Sequence, residues 1–177
     1  NLVNGEKAVV AEAPEAAGNW IVVKGHAIKS SNLKNPFPPN FELSFDVAVP
    51  KDFTWGAKGL VLLLAKEKPA GVTEAFISLK LRPGFGGSDG EVTLETKFPS
   101  GYANGTKWYT ATGFSNNKKS NQITVVVKKS GEVLVVLIDK NKIAEYTKGI
   151  PNDLLFNALS FDMSNSDGET EKYYLSN

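Results

Sequence analysis

The stretch Val133-Leu134-Val135-Val136-Leu137-Ile138 is apolar at every position; Ser130-Gly131 precedes it and the polar run Asp139-Lys140-Asn141-Lys142 follows. An apolar run this short, bounded by turn residues, reads as a strand rather than a helix. A strand with no polar face must be shielded on both sides. A second run, Gly59–Ala65 (GLVLLLA), makes the same demand. The chain therefore has to build at least two layers. An opposing sheet shields one face of these strands. Loops, a concave binding surface or a partner shields the other.

The remaining runs alternate. Residues 41–49 set Phe41, Leu43, Phe45, Val47 and Val49 on one side and Glu42, Ser44, Asp46 and Ala48 on the other. The same spacing groups Ile77, Leu79 and Leu81; Val92 and Leu94; Ile123, Val125 and Val127; and Leu159, Phe161 and Met163. Period two marks a half-buried strand. Clusters of Gly, Pro, Asn and Ser separate the runs. No stretch sustains a 3.6 period, and the helix-like composition of residues 6–18 is interrupted by Pro14. Short connections at Ser130-Gly131 and at 139–142 predict three consecutive antiparallel strands over 123–146. Many short strands without helices indicate an all-β sandwich or barrel, here one domain over residues 1–177.

Composition narrows the partners. A chain of 177 residues fits one domain and can bury a core without staples. A formal net charge of +1 supplies no basic excess to attract nucleic acid or an anionic membrane. Cysteine is absent, so no disulfide framework or thiolate metal site is available. No run reaches the roughly 18–20 apolar residues of a membrane-spanning helix. No signal peptide is visible, and a chain opening at Asn1 without Met fits one already trimmed.

Residues 36–47, PFPPNFELSFDV, resemble the early strand of laminin-G-like, concanavalin A-like jelly rolls, where a Pro-bearing turn precedes an alternating strand. Residues 123–163 resemble the later pattern of those domains: strand, hairpin, short strand, return strand. The tail YYLSN (173–177) is similar to their closing strand, and TKGIP (147–151) resembles a motif of the domain found in Bacteroidetes cell-envelope proteins, upstream of an OmpA-like domain. The resemblance implies a two-sheet antiparallel jelly-roll sandwich and a place outside the cytoplasm, in the cell envelope or secreted. It also implies a glycan, an envelope protein or a downstream domain as partner.

Jelly-roll glucanases carry a strand of alternating carboxylates, and retaining chemistry wants two of them about 5–5.5 Å apart. Here EVTLE (91–95) sets Glu91 and Glu95 on one face with Thr93 between them, and ELSFD (42–46) offers Glu42 and Asp46. Neither has the third carboxylate or the flanking aromatics of the glucanase pattern, and a solvated strand face explains both equally. No catalytic residue is assigned. His26 is the sole histidine, which limits any histidine triad or zinc cluster, and it is expected to be structural. The glycine-rich segment 82–90 is not spaced as a phosphate-binding loop and reads as a hairpin loop, with Arg82 at its start. Asp162 and Asp167, in DMSNSDGE (162–169), are candidates for a structural calcium; a polar hairpin loop is the alternative, and no other cofactor is expected.

The aromatic residues point to binding. A flat ring covers the apolar C–H face of a sugar while its polar edge stays wet. Phe53 and Trp55 sit in one loop-like stretch, and Tyr102, Trp108, Tyr109 and Phe114 lie among glycines and asparagines in 99–117; Trp20 is assigned to the core. Trp55, Arg82, Tyr102, Trp108 and Tyr109 are the candidate ligand residues. As the alternative, the rings form a lid. The region 99–120 is expected to cover the second face of strand 133–138, as a seal or as one wall of a groove. The expected function is a non-catalytic carbohydrate-binding or adhesive module. A protein-contact domain of the envelope and a glucanase-type hydrolase are the alternatives.

Overall fold

The computed structural model describes residues 21–23, 28–30, 33, 35–48, 59–67, 73–82, 84, 90–111, 122–163 and 173–176. Residues 6–18, Trp20, His26, Phe53, Trp55, Phe114 and Asp167 lie outside them, as do the side chains of Asp162 and Met163. Among the described residues there is no helix. The strands are β1 (Ile21–Val23), β2 (Ile28–Ser30), β3 (Phe41–Ala48), β4 (Leu60–Glu67), β5 (Thr73–Arg82), β6 (Gly90–Lys97), β7 (Gly105–Ala111), β8 (Gln122–Ser130), β9 (Val133–Ile138), β10 (Asn141–Tyr146), β11 (Ala158–Met163) and β12 (Tyr173–Ser176).

Two six-stranded sheets result. The first runs β1-β12-β3-β8-β9-β10 and the second β2-β11-β4-β5-β6-β7. Every pairing is antiparallel. Hairpins build β8-β9-β10 and β4-β5-β6-β7, while β11 and β12 leave and re-enter the first sheet and so lock the layers together.

The period-two pattern decides what each strand buries. Phe45 and Val47 of β3, Ile123, Val125 and Val127 of β8, and Leu134, Val136 and Ile138 of β9 face inward from the first sheet. Leu60, Leu62 and Leu64 of β4, Ile77, Leu79 and Leu81 of β5, Val92 and Leu94 of β6, and Leu159 and Phe161 of β11 meet them from the second. Phe45 and Phe161 touch edge to face across the layers, their centroids 5.2 Å apart. Each such side chain contributes about 1.5–3 kcal/mol on burial.

One end of the sandwich is closed by residues 147–157, where Ile150 and Phe156 are fully buried. Phe156 lies 6.1 Å from Phe41 and 6.4 Å from Phe98, edge-on to both. Gly149 is required there: a Cβ would stand 2.4 Å from the Cβ of Leu134. That close approach lets the amides of Gly149 and Ile150 both donate to the Glu132 carbonyl, at 2.7 and 3.2 Å. Lys129, inward-facing on β8, is almost wholly buried at the same end. Its ammonium donates to the carbonyls of Pro39 and Asn152, so the segment before β3 is tied to the closing loop. Burial pushes the Lys129 pKa down, and the Asp153 carboxylate acts in the opposite direction.

Both expected turns in 123–146 form, each with its own geometry. Ser130 pairs with Val133, so the first turn is Gly131-Glu132 rather than Ser130-Gly131. Gly131 takes φ 57° at the first central position, as a type II′ hairpin turn requires. The second turn is Asp139-Lys140, both left-handed (φ 49° and 66°), as in type I′. Asp139 compensates: its amide donates to Thr124 O at 2.9 Å and its Oδ1 accepts from Thr124 N at 2.8 Å.

The doubly apolar strand β9 lies between β8 and β10, as its composition demands. The expected cover of its second face by 99–120 is corrected for residues 105–111, while 112–120 lie outside the described residues. Residues 105–111 pair with β6 and form an edge of the opposite sheet, so this part of 99–120 does not seal β9. Register puts Val126 beside Leu137 and Lys128 beside Val135 on that outer face, with Lys142 and Glu145 beyond. Val126, Val133, Val135 and Leu137 end half-buried, framed by a Lys128–Glu42 ion pair at 3.2 Å and a Lys142–Glu145 ion pair. Long charged side chains shield apolar neighbours with their stems while their heads stay wet.

Lys140 is a β-carbon residue held at φ 66°. Replacing it with glycine is expected to stabilise the fold by about 0.5–1 kcal/mol, because glycine bears no left-handed penalty. Urea unfolding of Lys140→Gly checks this; an unchanged or lower midpoint counts against the turn assignment.

Candidate functional site

The outer face of the second sheet collects the polar positions that alternate with its core residues. On β6 these are Glu91, Thr93 and Glu95, and the ladder sets each opposite a β5 residue: Arg82, Lys80 and Ser78 respectively. On the other side, β7 sets Thr110 beside Glu91, Trp108 beside Thr93 and Thr106 beside Glu95. Lys80 in turn faces Val61 of β4, and its aliphatic stem lies over Gly59, where a Cβ would be only 2.7 Å from Lys80 Cε. The indole of Trp108, the largest exposed apolar group among the described residues, is 70% exposed. Directly opposite side chains are about 4.5–5.5 Å apart at Cβ and diagonal ones about 7–8 Å, so both carboxylates flank the indole.

Glu91 and Glu95 share one exposed face, as the alternation requires. Thr93 stands between them, and the aromatic neighbour comes from the adjacent strand rather than from β6 itself. Glu42 and Asp46 lie on the outer face of the first sheet. Glu42 is paired with Lys128, and Asp46 accepts a hydrogen bond from the Thr124 hydroxyl at 2.6 Å. Among the described residues, no group of three or more His, Cys, Asp or Glu could hold a metal.

The four candidate ligand residues that are described, Arg82, Tyr102, Trp108 and Tyr109, do not share one face. Trp108 and Arg82 belong to the outer face just described. Tyr109, one residue from Trp108, points the other way, opposite Val92. Its hydroxyl lies 3.4 Å from that of Tyr146 at the end of β10. The edge strands β7 and β10 therefore stand on the same side of the sandwich. Lys107 completes this contact, with its ammonium 4.6 Å from the centroid of the Tyr146 ring. Tyr102 lies just before β7, half-buried, and its hydroxyl donates to Glu132 Oε1 at 2.9 Å. The amide of Ala103 donates to Lys148 O at 2.8 Å and joins the two segments. An open cleft of about 430 Å³ lies between them, lined by Gly101, Tyr102, Ala103, Glu145, Tyr146, Thr147 and Lys148.

The phenols respond to these contacts. The hydrogen bond to Glu132, then burial and the Glu132 and Asp153 charges, push the Tyr102 pKa up. Partial burial, then the bond to Tyr109, pushes the Tyr146 pKa up strongly. Tyr146 and Lys107 were not among the candidates read from sequence. Alternation from Ala144 does place Tyr146 inward, but only the pairing of edges across the two layers shows what it meets.

No family model and no curated protein matches the chain. Solved structures do. The laminarinase catalytic domain from Thermotoga maritima MSB8 is similar at a TM-score of 0.58 and 10% identity, covering 98% of this chain and 79% of that one. A glycoside hydrolase family 16 enzyme of a Bacteroides ovatus mixed linkage glucan PUL is similar at 0.56 and 14%, covering 98% and 84%. The carbohydrate binding module CBM66 from Bacillus subtilis is similar at 0.50 and 14%, covering 97% and 89%. At this identity the likeness establishes the fold: a concanavalin A-like jelly-roll sandwich.

The raised Tyr146 pKa has a definite sign in stability. Its neutral form is favoured in the folded state, so the contribution is complete below the unfolded value of about 10 and is lost as the pH climbs above it. Tyr146→Phe is therefore expected to decline less steeply than the wild type between about pH 10 and 11.5, within the phenol window. Urea midpoints measured at pH 8 and at steps above 10 read this out; parallel declines overturn it.

Proposed function

We propose that this chain is a non-catalytic carbohydrate-binding module that seats a glycan on the outer face of the second sheet, against the Trp108 ring. The observation that carries it is the indole itself, held in water on a paired strand and bordered by hydroxyls, carboxylates and cations. Covering half of such a ring, about 100 Å², is worth about 2.5 kcal/mol before ordering costs. The neighbouring Thr93, Thr106, Thr110, Glu91, Glu95 and Lys80 provide hydrogen-bond partners for sugar hydroxyls. The shared fold with a carbohydrate binding module and with glucan-acting enzymes supports sugar as the ligand class. Adhesion to an envelope glycan fits the resemblance of residues 36–47 and 147–151, which is also the ground for proposing a site of action outside the cytoplasm.

Trp108→Ala is expected to weaken binding to laminarin or mixed-linkage β-glucan about 10- to 30-fold, the net of ring burial and ordering. Affinity electrophoresis and calorimetry measure this. Unaltered binding in the variant, or no retardation of the wild type by either glucan, overturns the proposal.

A second reading draws on Glu91 and Glu95, which border the same ring. In it the chain is a hydrolase with those carboxylates as the reacting pair. The non-catalytic proposal expects no new reducing ends from either glucan, with or without Glu95→Gln. Release of reducing ends that Glu95→Gln abolishes reverses the choice between them.

A further inference from the structure

The cleft between residues 101–103 and 145–148 lies around the edge of β7 from Trp108 and shares no lining residue with the outer face. At about 430 Å³ it falls within the size range of small-ligand sites. Its walls are pre-ordered. Tyr102 is anchored through its hydroxyl to Glu132, and Tyr146 through its hydroxyl to Tyr109. Lys107 sits over the Tyr146 ring, and the Ala103–Lys148 backbone bond fixes the spacing of the two segments. Gly101 takes φ 95°, and nothing lies within 4 Å of where its Cβ would be, so the backbone is bare on that wall.

We propose that this cleft is a second, independent sugar-binding subsite, which takes one or two residues of a glycan between the Tyr102 and Tyr146 rings and the polar groups of Thr147 and Lys148. The chemistry of the lining selects the class. Phenol rings with anchored hydroxyls offer flat apolar surface to C–H groups without moving. A hydroxyl, an ammonium and bare backbone lie around them, which suits a ring dense in hydroxyls. A lipid chain would leave those polar groups unpaired at a cost. Nucleic acid would need an extended basic surface, and the chain carries a formal net charge of only +1. Because the tyrosines are held before any ligand arrives, little side-chain freedom is lost on binding. Affinity per subsite is expected on the order of millimolar. A polymer that engages this subsite and the Trp108 face together gains through effective concentration.

The test is a two-dimensional amide NMR titration of the full chain with laminarihexaose and, separately, with a mixed-linkage β-gluco-oligosaccharide. The amides of Gly101, Ala103, Thr147 and Lys148 are expected to shift with one or both sugars, and to go on shifting in Trp108→Ala. Thr147→Arg, at an exposed turn position that tolerates substitution, fills the cleft and is expected to reduce those shifts at least tenfold at fixed sugar concentration. It should leave shifts around Trp108 intact. Tyr102→Phe keeps the ring but loses its anchor, and is expected to weaken the cleft response several-fold. Cleft amides that stay still with both sugars at millimolar concentration overturn the proposal. So does loss of the cleft shifts in Trp108→Ala, or their persistence in Thr147→Arg. If shifts around Trp108 are missing while the cleft shifts remain, the outer-face proposal fails and this one stands.

Discussion

Successive side chains of a strand leave opposite faces, and nearly every property of this sandwich follows once one of those faces is dry. Burying Val92 and Leu94 obliges Glu91, Thr93 and Glu95 to face water together. Sending Tyr109 toward β10 obliges Trp108 to stand on the outside. The cross-layer contact of Phe45 with Phe161, and the leucines stacked around it, hold the register. A slip of one residue would invert every one of these faces.

The closed end shows how polar groups are accommodated once the layers have met. Glu132 stands at the centre of it: its carbonyl accepts two amides, and its carboxylate accepts the Tyr102 hydroxyl. Lys129 spans from the segment before β3 to the loop after β10. A buried ammonium is stable there because two carbonyls receive it. Asn157 does similar work on the other sheet: its Oδ1 accepts from Glu67 N at 2.9 Å, and its backbone N–H donates to Ala65 O at 3.1 Å. The rim of the tyrosine cleft is thus joined to the most constrained part of the molecule through Tyr102 and Glu132, and a binding surface built there starts rigid.

Two surfaces with different chemistry flank β7. One is an open sheet face with a single exposed indole between carboxylates; the other is a cleft with phenols already hydrogen-bonded. Both lie at the side of the sandwich where edge strands end. Edge strands are usually protected from pairing with another chain, by charge or by bulges. Here β10 carries an irregularity between Lys142 and Ala144 and an ion pair, and β7 carries Lys107.

Alternation in the sequence determined the two-layer fold and the inward sets on β5, β6 and β8, with Phe45 and Val47 of β3 and Leu159 and Phe161 of β11, because burial of a strand face is a local pattern repeated every second residue; the unbroken apolar run determined the inner place of β9. Alternation also placed Glu91 with Glu95. It did not determine what borders the outer face of β9, since that depends on which strands become neighbours; there the Lys128–Glu42 and Lys142–Glu145 ion pairs flank half-buried valines and Leu137. Nor could it set Arg82 on the face of Trp108, or bring Tyr146 to Tyr109. The second of these relations joins β7 to β10 across two sheets, and only the closing of the sandwich decides which edges meet.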